Sequence, residues 1–160
     1  MKYRRLNNKE LEILEDRFIQ FLAANTVTGS DWIKTKKENP EKAEGLIEIF
    51  SDLVFDDTLG KLEYLQHRTA TELRCFHCQE DLIVMMGMIA KDTVGFDFRN
   101  NNDPKDMMAA VKSSGGTIQF FSAEKKYKGD RKQELFRMME HGCLISKGEI
   151  FKALKQVAPE

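Results

Sequence analysis

Leu73-Arg74-Cys75-Phe76-His77-Cys78, then Gln79-Glu80-Asp81, then Leu82-Ile83-Val84-Met85-Met86-Gly87-Met88-Ile89, is the stretch that decides the fold. The first six residues read as a strand and the polar triplet as a turn. The apolar run after it reads as a strand buried on both faces. Two strands joined by so short a connection pair antiparallel. Working backward, Leu62 and Tyr64 alternate with charged neighbours, as a half-buried strand does, within an ambiguous Leu59–Leu65 segment. Working forward, Gly95 to Phe98 fits a short strand and Thr117-Ile118-Gln119-Phe120-Phe121 another. Together they predict a meander.

Helical spacing brackets these strands. Asn7 or Asn8 caps a first helix reaching about Ala24, with Leu11, Leu14, Phe18, Phe21 and Leu22 on one stripe. Ser30 caps a short helical turn carrying Trp32 and Ile33. Asn39-Pro40-Glu41 opens a second main helix through Ala43, Leu46, Ile47 and Phe50, ending between Asp52 and Asp57. Asn100-Asn101-Asn102 is a polar loop before a helix that starts at Asp103-Pro104 and stops at Ser113-Ser114-Gly115-Gly116. A helix from Asp130 to His141 closes on Gly142, and Ser146 with Glu149 has the capping-box spacing of a last helix. The expectation is one α+β domain over residues 1–160. A helical arm (1–57), folded as a hairpin, packs on a small mixed or mainly antiparallel sheet with crossing helices (58–160), two of them C-terminal.

Composition supports a packed core, with 41% apolar residues and eleven Phe among 160 residues. The formal charge is −1. Residues 1–60 carry 9 basic and 12 acidic groups, and residues 112–160 carry 10 and 6. The absence of an overall basic excess argues against nucleic acid as the main partner, although the C-terminal third could present a local basic face. The basic Met1–Arg5 opening leads into charged helix rather than an apolar segment, so no signal peptide is expected. The nine apolar residues from Leu82 to Ala90 are too few to cross a bilayer. Three cysteines make an odd and sparse set, which fits reduced thiols in a cytoplasm.

Chemistry-bearing residues fall into four groups. Cys75, Cys78, His141 and Cys143 have the donor types of a zinc site. Strand geometry sends Cys75 and Cys78 to opposite faces, so no metal and no cofactor is expected. Cys75 with His77, or Cys143 with His141, could furnish a thiol nucleophile if its pKa were lowered. Asp56 and Asp57, beside Asp52 and Glu63, are candidate carboxylates for a pocket between the arm and the sheet. Lys125, Lys126, Lys128 and Arg131, with Tyr127 among them, form the densest basic run. They fit an acidic or phosphorylated partner, without any glycine-rich phosphate cradle. Trp32, Tyr64 and Tyr127 are candidate interface anchors.

Met1-Lys2-Tyr3-Arg4-Arg5-Leu6, Glu10-Leu11-Glu12, the Asn25–Trp32 segment and Phe50-Ser51-Asp52 together resemble a family of small uncharacterised proteins from the Bacteroidetes, of flavobacterial type. The resemblance implies a bacterial cytoplasmic protein and carries no known site residues. On the residues themselves, the leading expectation is a non-catalytic protein-interaction or regulatory module, with an unidentified protein or a second copy as partner. The alternative is a small enzyme or ligand-binding protein, and weak RNA binding comes third.

Overall fold

The computed structural model describes residues 1–100 and 103–158, in two compact units, Met1–Gly60 and Lys61–Glu160. Asn101 and Asn102 of the expected polar loop lie outside the described residues.

The first unit holds four helices rather than a two-helix hairpin: α1 (Asn8–Ile13), α2 (Glu15–Ala24), α3 (Gly29–Glu38) and α4 (Pro40–Lys61). Asn7 and Glu10 close a reciprocal capping box at the start of α1. At Leu14 the backbone turns to φ −99°, ψ 18°, which splits the single helix expected to reach Ala24. Thr28 caps α3 in place of Ser30, because Asp31 completes a second box with it; Lys36 and Lys37 then suit its last turn. α4 runs past the aspartates where its end was expected. Those carboxylates bind a strap formed by the chain's first residues instead of breaking the helix. Asp52 accepts the main-chain N–H groups of Lys2 (2.9 Å) and Tyr3 (3.2 Å), and Asp56 accepts the Tyr3 hydroxyl at 2.6 Å. Farther along the strap, buried Ser51 accepts the Leu6 N–H at 2.9 Å and donates to the Ile47 carbonyl at 2.7 Å. Phe18 centres the unit's core, its ring 5.2 Å from Trp32 and 5.0 Å from Phe50.

The second unit contains β1 (Tyr64–Arg68), β2 (Glu72–Cys78), β3 (Leu82–Lys91), α5 (Pro104–Ser113), β4 (Thr117–Lys126), α6 (Arg131–Glu140), β5 (Leu144–Ser146) and α7 (Glu149–Val157). Every described pairing is antiparallel, and the strand order is β4-β3-β2-β1-β5. The meander is real, and its first strand begins at Tyr64, since α4 absorbs Leu59. Gly95–Phe98 is not a strand: Phe98 starts a 3-10 turn, Phe98–Asn100. β5 adds an edge that the apolar pattern of only three residues does not announce. Gly148, at φ +88°, takes the N-cap of α7, while the Ser146 hydroxyl accepts the Gly148 N–H at 3.0 Å instead of capping the helix.

Cross-strand partners share a face, so the register sorts the side chains. Tyr64, Leu73, Cys75, Met88 and Ala90 lie on one face and form a core with Met107 and Val111 of α5, Phe151 and Leu154 of α7, and Phe98. The other face carries the rows Arg74–Gly87–Phe121, Phe76–Met85–Ala123 and Cys78–Ile83–Lys125. At Gly87 the Phe121 ring lies directly over the backbone, and an added Cβ would also come within 2.6 Å of the Leu73 carbonyl oxygen. The backbone there cannot yield. Gly87→Ala is therefore expected to destabilise the protein by roughly 1–3 kcal/mol through overpacking, measured as a lower urea midpoint at unchanged slope.

Candidate functional site

The Phe121, Ala123, Lys125 series on β4 places one methyl group between two long side chains. Beside that gap stand Phe76, Ile83 and Met85, and Met138 of α6 closes the far wall. The result is an apolar cavity of about 280 Å³, lined also by Glu124 and Lys125. Two methionines among the lining residues make its shape adaptable.

One wall belongs to an open edge. Among the described residues β4 pairs only with β3, so alternate N–H and C=O groups along ten residues face away from the sheet. From Thr117 to Ala123 that edge bears no charge; Glu124, Lys125 and Lys126 follow.

The helix opposite is fixed by Arg131. Its Nη2 donates to the carbonyls of Leu62 (2.7 Å) and Cys78 (2.9 Å), and its Nε donates to that of Gln79 (3.0 Å). The half-buried Tyr127 hydroxyl donates to the same Gln79 carbonyl at 2.8 Å. Arg131 thus ties α6, and Tyr127 the segment before it, to the end of β2. Lys125 is shared: its ammonium lies 3.5 Å from Glu134 Oε2, while Lys126 and Lys128 are exposed. Burial disfavours charge on Glu134, yet the Lys128 N–H it accepts and the Lys125 ammonium outweigh that and hold its carboxyl below the ordinary range.

The other candidate groups take different places. Trp32 is half-buried, edge-on to Phe18, with the Lys36 ammonium 5.6 Å above its ring. Tyr64 is buried, stacked on His77 at 4.6 Å, and its ring covers Gly148. His77 also meets the Phe151 ring edge at 5.6 Å, and His141 is exposed at the end of α6. Cys75 and Cys78 are buried on opposite faces of β2, and burial pushes each thiol up to about 12. Burial raises the half-buried Cys143 as well. Opposite faces cannot present Cys75 and Cys78 to one metal ion, and among the described residues no three His, Cys, Asp or Glu side chains converge as a ligand group. Asp56 is engaged by the Tyr3 hydroxyl and the Lys2 ammonium (3.2 Å), and Asp57 lies 3.6 Å from Arg17. Among the described residues the exposed large apolar side chains are not aromatic: Met1, Ile13, Ile19, Ile33, Ile49 and Leu53 in the first unit, Val94, Leu144 and Ile145 in the second.

A second concavity, of about 380 Å³, lies where β5 stops short of the end of β1. Gln66, His67, Arg68, Arg99, Gly142 and Leu144 line it. The sequence pattern gave no warning of this group, because its members come from three segments up to 78 residues apart.

A model described as a family of unknown function (DUF6495) matches residues 1–159. The chain belongs to that family. No curated protein and no solved structure matches it. Among the described residues no helix is long and apolar enough to cross a membrane.

Two expectations follow from the contacts. Arg131→Met removes the guanidinium donor from the Leu62 and Cys78 carbonyls and leaves that of Gln79 to Tyr127; it should lower stability by about 2–4 kcal/mol, since hydrogen bonds from a charged group are among the stronger ones, as measured by thermal unfolding. Of the thiols, only Cys143 should react with iodoacetamide in the native protein at pH 7.5. Cys75 and Cys78 should label only in denaturant, as mapped by peptide mass spectrometry.

Proposed function

We propose that this chain is a non-catalytic interaction module of the bacterial cytoplasm, which takes an extended peptide segment of another protein along β4. The cavity beside the open edge supports this reading most directly. Main-chain groups of an edge strand bind any extended chain, and a neighbouring pocket confers choice by accepting alternate side chains. Here the pocket is apolar, adaptable and bordered by Lys125, with Lys126 and Lys128 on the segment that follows. An aliphatic or aromatic side chain flanked by Asp or Glu is the complementary sequence. The basic run then recognises acidic peptide, and its loop position needs no phosphate cradle. The cytoplasmic placement rests on the free thiols and on the resemblance of the sequence to flavobacterial proteins.

Panning a random peptide library on the full chain tests the reading. Enriched sequences should combine an apolar residue with acidic neighbours and bind in the micromolar range. Ala123 is exposed, so Ala123→Phe fills the cavity without touching the core and should weaken capture at least tenfold. Lys126→Glu should weaken it severalfold and flatten its salt dependence. Binding indifferent to both substitutions would sink the proposal. A dimer in native mass spectrometry that Ala123→Phe disperses would assign the edge to a second copy instead.

A further inference from the structure

The polar concavity at the opposite flank of the sheet has a different chemistry. β5 pairs with Tyr64, Leu65 and Gln66 and then ends, which leaves His67 and Arg68 on an uncovered stretch of β1. Arg68 is half-buried, and its Nη1 donates to the Phe98 carbonyl at 3.2 Å, which fixes its planar head beneath the 3-10 turn. Arg99, the next residue of that turn, stands at the rim with its side chain exposed. His67 faces Gly142. That glycine sits at φ +108°, and a Cβ there would lie 3.3 Å from His67 Nε2, so the backbone conformation and the missing side chain together leave the imidazole room. The carboxylate bound to this group is Asp97, which accepts from Arg99 Nη2 at 2.6 Å, while Glu72 on the adjacent strand accepts from Arg74 at 2.6 Å. The Arg99 guanidinium holds Asp97 down to about 2, so it stays ionised as an internal occupant of the rim.

From this arrangement we infer that the concavity is a binding site for the phosphate group of a small molecule, with Arg68 and Arg99 as its cationic clamp, while His67, whose strand neighbour Arg68 projects to the opposite face, lines the rim beside Gly142. Two guanidinium groups from separate segments present forked donors suited to a tetrahedral oxyanion. A volume of about 380 Å³ accommodates a phosphate with a short organic substituent. Asp97 has a definite part here. It occupies Arg99 in the free protein and must be displaced or shared when the phosphate enters, so it tunes affinity downward. β4, which carries the apolar cavity, lies three strands away from β1 in the sheet order, so this site stands independently of the peptide-binding reading.

The test is a nitrogen-15 NMR titration of the full chain with inorganic phosphate and, separately, with glycerol 3-phosphate, against sodium chloride at matched ionic strength. Saturable shifts at His67, Arg99, Gly142 and Leu144 are expected, and the tighter of the two compounds identifies free phosphate or a phosphomonoester as the natural ligand class. Arg99→Gln, at an exposed position, should weaken binding about tenfold, the worth of one charge-assisted contact. Asp97→Asn should strengthen it about threefold by removing the competing carboxylate, an exposed pair being weak to begin with. A purely structural Asp97 would not produce that gain. Shifts that fail to saturate, that chloride reproduces, or that centre on Lys125–Lys132 would overturn the assignment, as would an affinity that neither substitution changes.

Discussion

The Arg131 guanidinium gathers three main-chain carbonyls, from the residues just before β1, at the end of β2 and in the turn toward β3. Those carbonyls sit where the ladder runs out, so without a donor they would be left to water or buried unpaired. A single planar cation reaches all three, with Tyr127 sharing that of Gln79, and it does so from the first residue of α6. That pins the helix over the second sheet face. Met138, two turns along, then reaches the position where it walls the apolar cavity. Glu134, one turn along, is placed to accept the Lys128 N–H and face Lys125. The cavity beside β4 is therefore a consequence of one interaction made at the other end of the helix.

Much of this architecture is legible in residue order, because local chemistry specified it. Asn7 with Glu10, Asp103 before Pro104, and Gly142 after α6 act where their side chains or missing side chains suggest. The hairpin of β2 and β3 follows from a polar triplet between apolar runs. The misreadings have different causes, and a distant partner overriding a local signal is the first of them. Asp52 and Asp56 look like the end of a helix, yet the N-terminal strap takes up their charge and α4 continues. Ser146 has capping-box spacing with Glu149, but Gly148 reaches a left-handed conformation that starts α7 without it. Three residues of β5 are too short for periodicity to register.

The candidate sites were less legible than the fold, and the reason is geometric. Arg131 reads as one charge in a basic run; its carbonyl partners lie between 52 and 69 residues away, and no spacing rule joins them. Tyr127 belongs to the same class, an aromatic residue whose hydroxyl closes a turn. Ala123 is the only lining residue whose size hints at a gap, and the hint needs the register of β4 against β3 before it means anything. The same register separates Cys75 from Cys78, which strand alternation alone had already indicated.

The open edge of β4 makes a conflict that the sequence resolves only at one end. Sheet proteins blunt exposed edges with charge, and Lys125 and Lys126 do this for the last residues of the strand. Thr117 to Ala123 carries no such guard, although Ile118, Phe120 and Phe121 favour pairing with any extended chain. A uniformly charged edge would protect the free protein better and would exclude a peptide as well. Charge confined to the cavity end keeps the backbone donors available while imposing a sign on whatever pairs there. On the proposed reading, an acidic strand would be drawn to register beside Lys125 and Lys126, and a basic one would be disfavoured at the segment that borders the cavity. If a peptide binds as proposed, the asymmetry along β4 would limit promiscuous pairing without closing the edge, and it would favour one register beside the cavity.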